Sequence, residues 1–564
     1  MRWLLFLCAI FSSVLGHSET ATIKLTIVDR ANGEPVAARL HVRDASGAFA
    51  IADDAVMFGG DCDMSDAGAG FTTLEAAIKG FTESLSNPYF GTIQFYADGV
   101  ATVAVAAGTS EIAVFKGPEY RVARFSLDAV AGSTVEHTVK LDRWIDMPAK
   151  GWYSADDHLH IQRPHPDLNP RIMKQMQAED IHVANLLQMG KVLNFKIAPQ
   201  YEFGQRGHYQ EGHYILAAGQ ENPRTHYLGH TITLGAPEPV FDGDEYLIYR
   251  KIWEQTSRLG GLNGFAHAFA TSGGVSPYAG GAVILPHDLL HFLEVLQFNR
   301  GGYDFWYDVL NLGFKVAATA GTDYPCADQT IPGHERFYTK VEGELTFARW
   351  LDGVKDGRTF VTTGPVLEFD IDGRGIGGEV ALTGPGKIRV RGSVTFNPAA
   401  DGLGVLELIR NGNLVTQVAN VEGRDRIDLD VELHVEETSW FALRSYGTEL
   451  SSSGFSPPFH FSMLGATSNA HTSPIYVSVD GTESLRESAQ AKAVARAFLA
   501  RLASLEGTLV EGNLQMLGGQ LEVPNFDGVP TEVLIRNRKA LLEEISAARA
   551  YFDDLAEGTK TSHQ

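Results

Sequence analysis

GWYSADDHLHI, Gly151 to Ile161, is the stretch on which the reading of this chain turns. In an extended segment successive side chains alternate between faces, so Asp156, His158 and His160 are expected on one side and Ala155, Asp157, Leu159 and Ile161 on the other. Two imidazoles two residues apart are costly to bury unless their ring nitrogens are satisfied, and a divalent cation does that directly. The strand is therefore a candidate metal cradle. An isolated His-x-His also occurs on plain edge strands, so the reading depends on partners further along.

Those partners lie between Trp152 and about Thr363, where short apolar runs (IHVANLLQ, HYILAAGQE, GHTITLG, NGFAHAF and FKVAATAGTD) alternate with helical patterns such as Tyr246 to Leu259 and Leu289 to Gln297. The alternation predicts an α/β domain with a largely parallel sheet or barrel, in which chemistry gathers at the carboxyl ends of the strands. Glu221 closes one run, His230 opens the next, His267 sits in GFAHAFA and Asp323 ends FKVAATAGTD. With His158 and His160 they make four imidazoles and two carboxylates. That donor set suits Zn, Mn or Fe better than Ca or Mg.

Around this domain the chain is long enough, at 564 residues, to need two to four domains. A net charge of -23 without any Lys/Arg run argues against nucleic acid or an anionic membrane as partner. Residues 1–16, MRWLLFLCAIFSSVLG, read as a cleavable export signal whose apolar run is too short to span a bilayer, so a secreted or periplasmic protein is expected. After its removal Cys62 and Cys326 remain, enough for one disulfide at most; so far apart, they are expected to be free and buried.

Residues 20–145 alternate apolar and polar positions between Gly-containing turns, which predicts an antiparallel β-sandwich interrupted by a polar insertion, Cys62 to Phe90. The α/β domain is placed at 150–363, and alternation returns over 364–480, a second β-sandwich near whose end His471 is expected to be structural. Residues 482–564 are helical in pattern, with Val494, Phe498 and Leu502 on one stripe and Leu541, Ile545 and Phe552 on another, so two helices are expected to pack on each other or on the barrel. There is no internal repeat, G-x-S-x-G, P-loop or dinucleotide fingerprint.

The motif series Asp156-x-His158-x-His160, Gly219-x-Glu221, Gly229-His230, Ala266-His267 and Gly321-Thr-Asp323 resembles that of the PHP (polymerase and histidinol phosphatase) superfamily. GRTFVTTGP at Gly357 to Pro365 and AHTSPIYV at Ala470 to Val477 resemble the exported CehA/McbA-like metallohydrolases, so the resemblance covers about residues 20 to 480. It implies a distorted β/α barrel, two or three divalent metals, and hydrolysis of phosphoesters or of aryl carbamate esters. Carried onto this sequence, it makes His158, His160 and Asp323 ligands of one metal, Glu221 a bridging carboxylate, and His230 and His267 the rest of a second site. Asp156 would orient a ligand imidazole, and His165 matches a further family histidine. Two departures remove the other ligands of a third metal: Leu187-Gln188-Met189 replaces a Thr-Asp-His, and Asp323-Tyr324-Pro325 an Asp-x-His. One or two metals are therefore expected.

The expected function is an exported metal-dependent hydrolase that activates water against a small ester, with Asp323 as ligand and proton acceptor. His287 or His291, four residues apart on an expected helix, are candidates to protonate the leaving group, and Tyr324 and Arg336 are near enough in sequence to contact substrate. The opposing reading is a secreted β-sandwich binding protein with a structural or vestigial metal site, and the six intact donors favour the enzyme.

Overall fold

The computed structural model describes residues 20–56, 94–191, 194–225, 227–268, 277–298, 300–326, 331–399, 402–421, 423–447, 468–482, 485–509 and 529–558. The export signal, the insertion at Cys62 to Phe90 and Cys62 itself lie outside the described residues. The protein is multidomain and rich in sheet, with a few helices. Among the described residues no helix is long and apolar enough to cross a membrane.

Two four-stranded sheets make the N-terminal unit and share one apolar core that includes Ile23, Leu25, Leu40, Val42, Val103, Val114 and Leu141. The sheets are not wholly antiparallel. Strand Thr20–Asp29 lies parallel to Thr134–Arg143, because the first and last strands of the unit are side by side and a long connection separates them. The unit is anchored to the next by ion pairs from Arg39 to Glu179 at 2.6 Å and from Arg143 to Asp180 at 3.3 Å, Arg143 also pairing with Glu119 of its own unit at 2.6 Å.

The central strands close into a barrel. Trp152–Leu159, Val183–Lys191 and Tyr214–Thr225 run parallel, Gly229–Leu234 is antiparallel to both its neighbours, and Leu262–Phe265, Phe292–Gln297 and Ala317–Ala320 are parallel again. Arg336–Lys340 pairs antiparallel with Trp152–Leu159. Most of these strands are buried along their whole length, which is why their sequences are apolar runs rather than alternations. The same property explains one error of the sequence reading. Leu289 to Gln297, expected to be helical, contains the strand Phe292–Gln297, since a short run buried on both faces has no period to tell strand from helix.

Beyond the barrel, the expected boundary at 363/364 is not a break in the sheet. Thr359–Thr362 pairs with Asn469–Thr472, which pairs with Ser439–Gly447, so one sheet of the C-terminal unit continues the barrel wall. His471 joins the two units as a structural residue: its Nδ1 donates to Thr472 O at 2.8 Å and its Nε2 accepts from Tyr307 Oη at 2.5 Å. Burial holds its pKa down to about 3, so both bonds are made by a neutral ring. The final helices, Ala489–Thr508 and Thr531–Glu557, pack on each other through stacked Phe498 and Phe552 and against the barrel's Tyr278 and Phe305.

Candidate metal centre

All six donors expected from the sequence meet at one end of the barrel. His158 and His160 end one strand or follow it, Glu221 lies in Tyr214–Thr225, and His267 and Asp323 follow Leu262–Phe265 and Ala317–Ala320. His230 opens Gly229–Leu234, and because that strand is antiparallel, its start is at the same end as its neighbours' finishes. Two of the donors, His267 and Asp323, hold left-handed backbone at φ 41° and 57°. Such conformations cost energy in non-glycine residues and persist where the surroundings impose them, commonly at functional sites.

His158 reaches this centre by a route the alternation rule misses. Ala155 packs with Val183, Leu187, Ile215 and Ala217, whereas Leu159 packs with Ala184, Leu186, Leu216 and the helix Asn169–Ala178. Residues four apart share a face of a regular strand, so these two on opposite faces require a bulge. The register shift against Val183–Lys191 falls between Ala155–Asp156 and Leu159. Asp156 is therefore not on the face of the histidines. Its carboxylate accepts from the backbone N–H groups of His158, Thr322 and Gly333 and from the Thr322 hydroxyl, at 2.6 to 3.2 Å, so it fixes backbone near the site rather than a ligand ring.

The residue that orients a ligand ring is Glu294, which sequence reasoning missed. Its oxygens are each 3.2 Å from His158 Nδ1, and Oε2 accepts the His267 backbone N–H at 2.7 Å. Gln297 donates to Glu294 at 3.0 Å, and Asp157 faces the same carboxylate, whose charge raises the Asp157 pKa on top of the larger effect of burial. The close approach requires a glycine opposite: a Cβ on Gly321 would lie 2.5 Å from His158 Cβ and 2.7 Å from both the Asp157 and Glu294 carboxylates. A signal was present in the sequence, since a carboxylate inside the apolar run FLEVLQF must be satisfied if buried.

Tautomers follow from these contacts. His160 Nδ1 is 3.1 Å from the Leu187 carbonyl, which only accepts, and His158 Nδ1 faces both Glu294 oxygens at 3.2 Å, with the Gln297 amide nitrogen, itself a donor to Glu294, 3.1 Å away; with Glu294 as the acceptor, both hydrogens are assigned to Nδ1 in the neutral rings. Both Nε2 lone pairs then point at one place, 3.2 Å apart. Glu221 Oε2 is 3.3 Å from His160 Nε2 and 3.9 Å from His158 Nε2, and Asp323 Oδ1 is 3.0 and 3.4 Å from the same atoms. Glu221 Oε1 turns the other way, 2.8 Å from His230 Nδ1. Three donor groups result, each with ligand atoms within 4.8 Å of one another: His158/His160/Glu221, His158/His267/Asp323 and Glu221/His230/His267. Glu221 is shared between two of them, with one oxygen toward each, as a bridging carboxylate requires.

Electrostatics in this cluster favour a cation. Burial opposes ionisation of Glu221, but Arg224 and His230 outweigh it and hold the carboxyl well below the usual range; Arg224 Nη1 is 3.4 Å away. Burial likewise opposes charge on His158 and His160, yet the carboxylates around them raise both pKa values, so without a metal protons take its place. His267 stays neutral, its pKa lowered to about 3 by burial and by His230 and His158. Metal entry must therefore expel protons. Because the imidazole pKa values are raised, fewer protons need expelling as pH rises, and cobalt or zinc affinity is expected to strengthen by up to about tenfold per pH unit for each proton released. Binding isotherms at pH 6, 7 and 8 measure this, and a flat profile would remove the protonated imidazoles from the account.

Other expected site residues are elsewhere. His165 is half exposed, accepts from Asp167 N at 3.3 Å and caps a short 3-10 turn. His287 and His291 do not share a helix: His287 ends a 3-10 turn and pairs with Glu544 at 3.3 Å, while His291 precedes Phe292–Gln297 and accepts from Asn263 N at 3.1 Å, so both lie at the amino ends of the strands, away from the donors. Tyr324 is buried, its carbonyl accepting from His160 N at 2.7 Å, and Arg336 binds the carbonyls of Glu179 and Asp180. Cys326, expected free, is disulfide-bonded. Met189, where the resemblance expects a histidine, sets its sulfur 2.7 Å from Arg224 Nη1.

A cleft of about 1030 Å³ at the amino ends of the strands, lined by Trp152, Lys315, Arg358 and Glu379 among others, shares no residue with the donors. Two charge pairs close within it, Lys315 to Glu379 and Arg358 to Asp356 at 2.5 Å each, and the cleft brings together none of the imidazoles. Fold and cluster together define a multidomain, sheet-rich protein with buried His/Asp/Glu groups able to bind a metal. No family model matches the chain, and no curated protein does. Among solved structures, the minor pilin of the gram-positive pathogen Streptococcus agalactiae is similar at 12% identity and a TM-score of 0.15, over 23% of this chain and 46% of the pilin. The likeness thus spans less than half of the pilin's own length and carries no argument about fold or function.

Proposed function

We propose that the protein is an exported hydrolase of the PHP type, dependent on one or two divalent transition metals (Zn, Mn or Fe), acting on a small phosphoester, carbamate or carboxylic ester. The observation that carries this reading is the pair of inward Nε2 lone pairs 3.2 Å apart, closed in by Glu221 and Asp323. When bound, such a metal supplies a Lewis acid and lowers the pKa of water from about 15.7 toward 7.

The chain's own residues supply the rest. His158, His160, Glu221, His230 and His267 are almost fully buried, whereas the Asp323 side chain is 21% exposed. Asp323 is thus the donor on the solvent side, placed to take a proton from water next to a bound ester as well as to hold the metal. Arg224 keeps Glu221 ionised. That exposed face favours an open site over a closed structural one and so favours the enzyme over the binding protein.

The test is metal content by mass spectrometry on the full chain and on His158→Ala/His160→Ala, with hydrolysis of p-nitrophenyl phosphate, a phosphodiester and p-nitrophenyl acetate followed on the same samples. One or two transition metals per chain, with metal and turnover both lost in the variant, is the expected result, and the reactive ester names the class. A folded wild type that takes up no transition metal overturns the site.

A further inference from the structure

One further donor stands beside the centre. The Cys326 sulfur lies within 4.8 Å of ligand atoms of both His160 and Asp323, close enough for all three to hold one ion, yet it is tied up in a disulfide. A disulfide sulfur is a poor metal ligand, while a thiolate is a strong one that favours zinc and other soft cations. This fourth set, His160/Asp323/Cys326, is therefore chemically silent in the oxidised chain and complete in the reduced one. His160 Nε2 and Asp323 Oδ1, 3.0 Å apart, already belong to the centre, so sulfur would join an existing pair of donors rather than need a new pocket.

We propose that Cys326 is a latent thiolate ligand of the metal centre, released by reduction of its disulfide to form a His160/Asp323/Cys326 site. The inference rests on the metal-centre reading and extends it to a redox-dependent donor set. The reductant is an external dithiol or phosphine. With a phosphine, the disulfide takes up two electrons and the two hydrogens of one water to give two thiols, and the phosphorus leaves as phosphine oxide carrying the water's oxygen. The Cys326 proton goes to solvent when sulfur meets the cation. Because Asp323 is the donor on the solvent side, a thiolate next to it fills the side from which substrate must come. Reduction would then tighten metal binding and lower turnover together.

Cobalt(II) reports on both questions at once, through visible d–d bands for binding and a near-ultraviolet sulfur-to-cobalt charge-transfer band for thiolate ligation. The full-length protein is loaded with cobalt before and after treatment with a phosphine, the phosphine being removed under anaerobic conditions before loading. The same is done with Cys326→Ser. In a Cys8→Ser/Cys62→Ser variant Cys326 is the chain's last cysteine and must be a free thiol. The expected result is a charge-transfer band in the reduced wild type and, without any reductant, in the double variant, and none in the oxidised wild type or in Cys326→Ser. Visible cobalt bands in the reduced wild type without charge transfer, or the same charge-transfer band in reduced Cys326→Ser, overturn the thiolate ligand and leave the metal centre standing. Absence of visible bands from every form overturns the metal centre and the inference with it.

Discussion

Glu221→Ala is expected to strip the centre of metal and lower ester hydrolysis by on the order of 10²–10³-fold or more, the scale seen when one preorganised electrostatic contact is removed from an active site. The effect is large because Glu221 serves two donor groups at once, one oxygen toward His158 and His160 and the other toward His230. Without it each of those groups keeps two imidazoles, and among the described residues three donors remain in His158/His267/Asp323 and, once Cys326 is reduced, in His160/Asp323/Cys326. The same change should weaken the metal-free fold. Arg224 is 6% exposed, and removing the carboxylate from a buried ion pair commonly costs about 3–5 kcal/mol because the remaining charge stays buried. Metal analysis and urea unfolding in the presence of a chelator check the two effects separately. A folded Glu221→Ala that keeps wild-type metal content would show that Glu221 is not a ligand.

What the sequence disclosed about this centre, and what it hid, divides along one physical line. Side chains whose chemistry is rare in a barrel wall announced themselves: His158, His160, Glu221, His230, His267 and Asp323 are all polar groups at or near the ends of apolar runs, and all six converge. Orientation was harder. Period two holds only for a regular strand, so one bulge moved Asp156 out of the site and left Asp157 facing the Glu294 carboxylate. Glu294 stayed hidden because a fully buried strand has no alternation, and the helical reading of Leu289 to Gln297 also put His287 and His291 on a face that does not exist.

Domain-scale features show the same limit. The alternation at 20–145 and 364–480 located strands correctly, but alternation is a property of single strands and carries no information on partners. It could not show that Thr20–Asp29 pairs parallel with Thr134–Arg143, nor that the barrel wall runs on past 363 through Asn469–Thr472. The disulfide at Cys326 was hidden for a related reason, since only three-dimensional proximity decides whether distant cysteines pair. Residue chemistry is local and was legible, whereas pairing is non-local and was not.

Glu294→Gln is expected to weaken metal binding by about 10–100-fold while leaving the fold as stable as before or more so, the usual scale for a residue that orients a ligand from behind. As a carboxylate, Glu294 accepts twice, from His158 Nδ1–H and from the His267 backbone N–H at 2.7 Å. An amide has one accepting oxygen and one donating nitrogen. The His267 backbone N–H can only donate and must face the oxygen, which puts the amide N–H₂ at the other position, also 3.2 Å from His158 Nδ1. Gln297 Nε2, 3.1 Å from the same nitrogen, loses its acceptor at that position, so two donors now face Nδ1 and the ring is expected to move its hydrogen to Nε2, pointing into the centre 3.2 Å from His160 Nε2 and blocking the lone pair that the metal needs. Stability should not fall, because the substitution removes one of two buried carboxylates that repel each other, Glu294 and Asp157. A merely structural role for Glu294 would move unfolding and affinity together; a role in placing the proton moves affinity alone. Zinc titration against a chromophoric chelator gives the first readout, and two-dimensional ¹H–¹⁵N spectra of the histidine rings give the second, with the His158 proton moving from Nδ1 to Nε2. An affinity within twofold of the wild type, with the tautomer unchanged, would show that the orientation of His158 does not depend on this carboxylate.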